Sequence, residues 1–195
     1  MTAERRAGVL MPVSSFPGKL GIGDLGQSAY DFIDSLHTTG ASIWQLLPLN
    51  PVGYGNSPYQ TYSAFAGDEI YISIENLYDD LGLSFDQEPV VNKQIDYTSA
   101  RNTKNELLKE AYKHFLPNAE YDVFIKQAFW LDEYAEFISL KEKNGFKSWL
   151  DWTEFEVSDE AKDYQRFLQF VFFKQWMSLK SYANDKGILV VGDIP

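Results

Sequence analysis

The residues from Gly187 to Pro195, GILVVGDIP, constrain the fold more than any other part of the chain. Ile188–Val191 is a run of four large aliphatic residues, three of them β-branched, which is typical of a parallel strand buried on both faces. Such a strand needs neighbouring strands beside it and layers of structure above and below. The run therefore predicts a parallel sheet, with Gly192 and Asp193 following at the carboxyl end of one of its strands.

A strand–helix–strand pattern occupies the first quarter of the chain. Ala7–Val13 is an apolar run, and Ser42–Leu47 is a second one. Between them, apolar residues recur at helical spacing near Leu25–Thr39, with Asp24 as the predicted N-cap and Gly40 as the predicted stop. Because crossovers between parallel strands are short and right-handed, we expect the two runs and the C-terminal run to be adjacent parallel strands, with the helix packed outside.

The middle of the chain, between the second and third predicted strands, is predicted to be mostly helical. Glu69–Ile74, EIYISI, predicts a short β-strand at its start, and a helix is predicted near residues 100–117. A further helix begins after a predicted Ser158 cap and ends at Gly187. Another helix is indicated by apolar residues on one face: Phe124, Ala128, Leu131, Ala135 and Ile138.

The charge of the chain restricts its partners. It has 28 acidic and 17 basic residues among 195, which gives a net charge of −11, and no basic run offsets the excess. Most of such a surface repels a phosphate backbone or an anionic membrane, so we expect neither as a partner. A neutral or a positively charged partner fits the composition better.

The absence of cysteine excludes disulfides and thiolate metal sites. The first apolar run stops at Pro12, which is too short for a signal sequence or a membrane span. Both features favour a cytoplasmic protein. His37 and His114 have no partner at metal-ligand spacing, so we predict no metal site and no cofactor.

The loop Leu49–Gly67, LNPVGYGNSPYQTYSAFAG, is stiffened by prolines and yet rich in aromatic rings. One interpretation is a loop that packs on itself. The other is a sugar site, because the C–H face of a pyranose packs against an aromatic ring while a phenol reaches a sugar hydroxyl. Tyr54 and Tyr59 are the candidate rings, and Ser57 adds a hydroxyl suited to a neutral polyol. Asp193, at the same edge of the predicted sheet, is either a site residue or a turn residue.

Three segments carry a resemblance to a known family: RAGVLMPVSSFPGKLGIGDLG, WQLLPLNPVGYGNSPYQTYSAFAG and the terminal GDIP. They resemble the bacterial amylomaltases, which are 4-α-glucanotransferases or disproportionating enzymes of the α-amylase clan. The resemblance implies an α/β fold, in which residues 1–195 form the N-terminal part of a (β/α)8 TIM barrel with its first three parallel strands. It implies that approximately residues 68–157 are a mostly helical subdomain inserted between strands 2 and 3. It also implies transfer of α-1,4-glucan segments between maltooligosaccharides, with retention of configuration.

The resemblance suggests a role for each candidate residue. Tyr59 corresponds to the family tyrosine that stacks on the sugar beside the scissile bond, and Asp193 to the aspartate that binds hydroxyls of that sugar. Tyr54 corresponds to a tyrosine near a further glucan groove, and Ser57 is expected to line the donor side. The family's nucleophilic Asp and acid/base Glu are expected beyond Pro195, so the chain contains no catalytic residue.

Two functions remain open from the sequence. The first is an N-terminal enzyme fragment, inactive alone, whose partner is the missing C-terminal part. The second is a non-catalytic α-glucan-binding module. A dedicated module should end in a polar edge or cap, whereas this chain ends in ILVVGDIP. The apolar run therefore favours the fragment of an enzyme.

Overall fold

The computed structural model describes residues 5–194, and Pro195 of the GDIP segment lies outside them. Three parallel strands form one sheet in the order β1 (Gly8–Leu10), β2 (Ile43–Gln45) and β3 (Leu189–Val191). Val9 of β1 is opposite Trp44 of β2, and Trp44 is opposite Val190 of β3. The predicted set of adjacent parallel strands is confirmed, although each strand is shorter than its apolar run.

Helix α1 (Gln27–Thr39) connects β1 to β2, as predicted, and Gly40 ends it in a left-handed conformation with φ of 76°. Asp24, however, is not the N-cap. The cap is Gly26, where a Cβ would come within 2.7 Å of the Ser73 hydroxyl. The Asp24 carboxylate accepts a hydrogen bond from the Gly26 amide at 3.0 Å and an ion pair from Lys104 at 2.8 Å. The helix therefore begins two residues later than the acidic signal indicates.

The excursion between β2 and β3 is mostly helical across the described residues. Short 3₁₀ turns and loops join its helices, and α6 follows the last of these turns. The helices are α2 (Ile74–Asp80), α3 (Tyr97–His114), α4 (Ala119–Gln127), α5 (Leu131–Lys143) and α6 (Asp159–Asp185). Between residues 5 and 194, no helix is both long enough and apolar enough to cross a membrane.

The prediction of a strand at Glu69–Ile74 is wrong. Glu69–Tyr71 forms a 3₁₀ turn, and Ile74 begins α2. Side-chain caps explain the difference. The carboxylate of Asp68 accepts from the Ile70 amide at 3.0 Å, and the Ser73 hydroxyl accepts from the Asn76 amide at 3.4 Å. Each cap starts a new helical turn and so prevents an extended run.

The single helix predicted over Phe124 to Ile138 is two helices in the structure. Helix α4 ends at Gln127, and α5 begins at Leu131. The residue after α4, Ala128, has φ of −82° and ψ of 74°, which is not helical. Trp130 then packs its ring against Tyr134 and Phe173, with centroids 6.0 and 5.8 Å away. The packing of these rings therefore breaks the helix, although the apolar residues continue at helical spacing.

Helix α6 is the long support of the core. Its predicted cap is confirmed, because the Ser158 hydroxyl accepts from the Ala161 amide at 3.2 Å. Phe167, Phe172 and Leu179 are buried on its inner face, and they join the core that also contains Trp44 of β2. The chain turns at Gly187, with φ of 75°, and enters β3. The end of α6 therefore sets where β3 and the residues after it lie.

Strand β3 is partly exposed in this chain, as the interpretation of the chain as an enzyme fragment predicts. Ile188, just before the strand, is buried, but Leu189 is 46% exposed and Val191 is 42% exposed. Among residues 5–194, no strand pairs with the outer edge of β3 or of β1. The described part of the chain therefore presents apolar strand residues to solvent on the sheet, together with open hydrogen-bonding edges.

We expect the isolated 195-residue chain to bind hydrophobic dyes and to self-associate, because the sheet exposes apolar side chains and unpaired edges. Dye fluorescence and light scattering measure both properties. A variant with Leu189→Ser and Val191→Ser should bind less dye at equal protein concentration. A monodisperse monomer that binds no dye and melts in one sharp transition would contradict the expectation.

Candidate functional site

The aromatic loop Leu49–Gly67 folds back on itself as an irregular hairpin. An antiparallel bridge joins Val52 to Thr61. Next to it, the Gly53 amide donates to the Gln60 carbonyl at 2.7 Å. These contacts hold the two arms of the loop together, so the loop is ordered before any ligand arrives.

The tip of the hairpin contains two residues in left-handed conformations. Gly55 has φ of 76°, and Asn56 has φ of 53°, which asparagine tolerates better than most residues. Ser57 follows, half-buried, and its carbonyl accepts from the Gln60 amide at 3.0 Å. Tyr54 begins the short 3₁₀ turn Tyr54–Asn56, but its side chain lies outside what the structure describes.

The underside of the loop packs on helix α5. The rings of Tyr62 and Phe137 lie edge to face with centroids 6.4 Å apart. The Lys141 ammonium is 4.8 Å from the centroid of the Tyr62 ring, a cation–π contact. Ala66 is buried against Tyr134 of the same helix. Tyr62 therefore anchors the loop to the helical region.

Helix α6 fixes the end of the loop at Gly67. The Gly67 amide donates to Gln169 Oε1 at 2.8 Å, and Gln169 Nε2 donates to the Gly67 carbonyl at 2.9 Å. The backbone also lies directly against the Phe172 ring, so that a Cβ on Gly67 would be 2.1 Å from two of its carbons. Only glycine fits this approach, and the end of the loop is held in one place.

Tyr59 and Asp193, predicted from separate parts of the sequence, meet in the structure. The Tyr59 hydroxyl donates to Asp193 Oδ2 at 2.8 Å, and this hydrogen bond raises the pKa of the Tyr59 phenol. The Tyr59 side chain remains 51% exposed, so its ring is open to a ligand. Asp193 also accepts from the Ile194 amide through Oδ1 at 2.9 Å, which is a turn contact. The two interpretations of Asp193 are therefore compatible.

The pair has a defined chemical character. Tyr59 lies in the loop that follows β2, and Asp193 lies two residues beyond β3, so both belong to the carboxyl edge of the sheet. An open aromatic ring beside a carboxylate can pack against an apolar face and accept hydrogen bonds from hydroxyl groups. The arrangement suits a neutral polyol better than an anion, because the carboxylate repels negative charge.

Sequence reasoning missed the ionic residues that hold the base of this loop, Asp68 and Arg101. Arg101 donates to both carboxylate oxygens of Asp68, at 2.8 and 2.9 Å, from helix α3. Neither residue lies in a recognisable motif, and 33 positions separate them, so the sequence carried no signal for the pair.

The histidines take no part in the site. The His37 ring nitrogen Nδ1 is 3.0 Å from the Lys186 carbonyl, and His114 lies beside Glu110 on α3. Within the described range 5–194, no group of three or more His, Cys, Asp or Glu residues is arranged to hold a metal ion.

Comparison with known proteins agrees on one family. The family model for glycosyl hydrolase 77, described as 4-alpha-glucanotransferase, matches residues 11–195. The 4-alpha-glucanotransferase of Clostridium butyricum is 41% identical over 206 residues, covering 95% of this chain and 42% of the relative. That of Aquifex aeolicus is 40% identical over 209 residues, covering 98% of this chain and 43% of the relative. The chain thus spans less than half the length of these relatives.

Solved structures show the same likeness. The amylomaltase from Streptococcus agalactiae, in complex with acarbose, has a TM-score of 0.85 and 36% identity, covering 98% of this chain and 43% of that one. The amylomaltase from Corynebacterium glutamicum has a TM-score of 0.71 at 19% identity, covering 97% and 30% respectively, and shows the fold alone.

We expect Gly67→Ala to destabilise the described region by about 1–3 kcal/mol, because the added methyl group overlaps the buried Phe172 ring. Chemical denaturation of the variant measures the loss. Gly192→Ala is the matched control, since nothing lies within 4 Å of a Cβ at that position. Equal stability of the two variants would contradict the close approach of Gly67 to helix α6.

Proposed function

Because the chain belongs to the glycosyl hydrolase 77 family of 4-alpha-glucanotransferases, we propose that the full-length protein is a 4-α-glucanotransferase of the amylomaltase type. It transfers α-1,4-glucan segments between maltooligosaccharides with retention of configuration. The hydrogen bond of 2.8 Å between Tyr59 and Asp193 is the observation that supports a sugar-binding site in this chain. It joins an open aromatic ring to a carboxylate at the edge of the sheet where such sites form.

Each residue of the pair has a distinct task in the proposed site. The Tyr59 ring packs against the C–H face of the glucose unit beside the scissile bond. The Asp193 carboxylate accepts hydrogen bonds from hydroxyls of the same unit, which a charged acceptor makes stronger. Their mutual hydrogen bond fixes the tilt of the ring relative to the carboxylate. The sugar is therefore held between two groups that are already oriented.

The other two candidates extend the site along a glucan. Ser57, two residues before Tyr59, offers a hydroxyl on the donor side, and its backbone is held by the Gln60 amide at 3.0 Å. Tyr54, at the first position of the turn Tyr54–Asn56, lies near a further glucan groove. Both roles follow from the family resemblance of the loop and from its order.

We propose further that β1, β2 and β3 are the first three strands of a (β/α)8 barrel. Residues 68–157 then form a mostly helical subdomain inserted between the second and third strands. Three observations support this: the parallel order of the strands, the exposed apolar residues of β3, and the coverage of only 42–43% of the relatives. The remaining strands would cover β3 and complete its pairing.

A reaction that retains the anomeric configuration needs catalytic residues other than Tyr59 and Asp193. A retaining mechanism needs two carboxyl groups about 5 to 5.5 Å apart, one that attacks the anomeric carbon and one that protonates the leaving oxygen. Asp193, bound to Tyr59, is proposed to bind substrate, and the nucleophilic Asp and acid/base Glu are proposed to lie beyond Pro195. The partners are neutral α-glucans, which fits the net charge of −11. The absence of cysteine supports a cytoplasmic location.

In the full-length protein, Tyr59→Ala should lower kcat/KM for maltotriose disproportionation by about 5- to 150-fold. This corresponds to about 1–3 kcal/mol for the loss of one stacking ring. Tyr59→Phe, which keeps the ring and removes the hydroxyl, should lose less, and Asp193→Asn should lower turnover with the fold intact. Steady-state glucose release and thermal melting measure these effects. Wild-type kinetics in Tyr59→Ala would contradict the proposed site.

The 195-residue chain alone should release no glucose from maltotriose, because the proposed catalytic carboxyls lie outside it. Its binding of maltooligosaccharide, measured by calorimetry, should still fall in Tyr59→Ala if the chain folds alone. A chain purified free of host enzyme is required. Sustained glucose release proportional to its concentration would place the reaction within these residues and overturn the assignment.

A further inference from the structure

Asp68 joins the two ends of the aromatic loop. Its side chain is buried, with an exposed fraction of 1%. Carboxylate oxygen Oδ2 accepts from the Val52 amide at 3.3 Å, and the Asp68 amide donates to the Leu49 carbonyl at 2.8 Å. The residue therefore contacts the beginning of the loop through both its backbone and its side chain, while it directly follows the end of the loop at Gly67.

A buried carboxylate needs a counter-charge, and Arg101 of helix α3 supplies it. The guanidinium binds Asp68 with two parallel hydrogen bonds of 2.8 and 2.9 Å, and it also contacts Glu69. Burial, followed by the charge of Asp68, raises the pKa of Glu69 to about 7. One guanidinium compensates both groups, and its fork keeps Asp68 in one orientation.

We propose that Arg101 is a positioning residue for glucan binding. By holding the Asp68 carboxylate, it holds Val52 and Leu49 at the start of the loop, and so it keeps the Tyr59 ring against Asp193. The inference rests on the proposed function of the Tyr59–Asp193 pair. Arg101 acts on the sugar through the loop, and Asp68 transmits its effect.

Loss of Arg101 should leave helix α3 folded. The helix has its own buried residues, including Leu108 and Ala111. One turn after Arg101, the buried Lys104 ammonium binds the Ile70 and Ile72 carbonyls, both at 2.8 Å, and Asp24. The helix thus keeps a second ionic anchor to the segment beyond Asp68. Without Arg101, the buried Asp68 carboxylate loses its counter-charge, and by turning toward water it releases the Val52 amide.

The chain offers a matched control in Arg166 of helix α6. Like Arg101, it contacts two carboxylates, those of Asp132 and Asp163, at 2.9 and 2.5 Å. Its side chain is 22% exposed, compared with 26% for Arg101. The carboxylates that pair with Arg166 are exposed, 73% for Asp132 and 51% for Asp163, and none of its described hydrogen bonds or ion pairs reaches the aromatic loop. Arg166→Gln therefore controls for the loss of an arginine ion-pair cluster at the surface.

The test is a double-mutant cycle in the full-length protein with maltotriose as substrate. We expect Arg101→Gln to raise KM and to lower kcat/KM by about tenfold, and Arg166→Gln to stay within about twofold of wild type. In a Tyr59→Ala background, Arg101→Gln should lower kcat/KM by less than about a further twofold, because the ring that Arg101 positions is absent. Equal effects of Arg101→Gln in both backgrounds, or no effect in either, would overturn the proposal.

Amide hydrogen exchange supplies a readout that does not depend on activity. Peptides covering residues 49–62 should exchange faster in Arg101→Gln than in Arg166→Gln, because the Val52 amide loses its acceptor. If Arg101→Gln fails to fold, Arg101→Lys keeps the charge without the fork, and faster exchange is again expected. Unchanged exchange in a folded variant contradicts the inference. If the wild type transfers no glucan, the proposed function fails, and the exchange result decides the positioning role alone.

Discussion

Two buried glutamines of helix α6 satisfy the backbone between the aromatic loop and helix α2. Gln169 donates to and accepts from Gly67, and Gln175 does the same with Ser73, at distances of 2.7–2.9 Å. Each side-chain amide thus replaces the neighbouring strand that a buried extended segment would otherwise need. Leaving such a group unpaired costs about 1–3 kcal/mol. The end of the loop, the turn at Glu69–Tyr71 and the start of α2 all depend on these contacts with α6.

The same contacts explain what the sequence could predict and what it could not. Ile70, Ile72 and Ile74 alternate with other residues as in a strand, and this alternation led to the prediction of a strand that the structure does not contain. The backbone conformation is set by the caps at Asp68 and Ser73 together with the contact between Ser73 and Gln175, which lies 102 residues away. The three strands and α1 were predictable because their signals, the apolar runs and Gly40, are local. The helical spacing of apolar residues likewise could not reveal the break between α4 and α5 at Ala128, because the packing of aromatic rings sets the backbone geometry there.

The candidate site divides in the same way. Tyr59 and Asp193 were each recognised from a local setting, a stiff loop and a strand end, and the structure brings them together. The Asp68–Arg101 pair was not recognised, because the choice of partner for a buried charge is made by tertiary packing. The exposure of Leu189 and Val191 agrees with the interpretation of the apolar run as one strand of a larger sheet.

The hydrogen bond between Tyr59 and Asp193 joins residues 134 positions apart, with five helices in the chain between them as described. Contacts between residues so far apart in sequence form slowly, because the chain loses the entropy of closing a long loop before the contact stabilises it. A ribosome, which synthesises from the amino terminus, releases the tyrosine loop first. It then releases Asp68, Arg101 and Gln169, which hold the loop in place, in that order, and Asp193 after them. The loop can therefore be shaped by the emerging helices before Asp193 is made, and the Tyr59–Asp193 hydrogen bond forms only when the third strand has been translated.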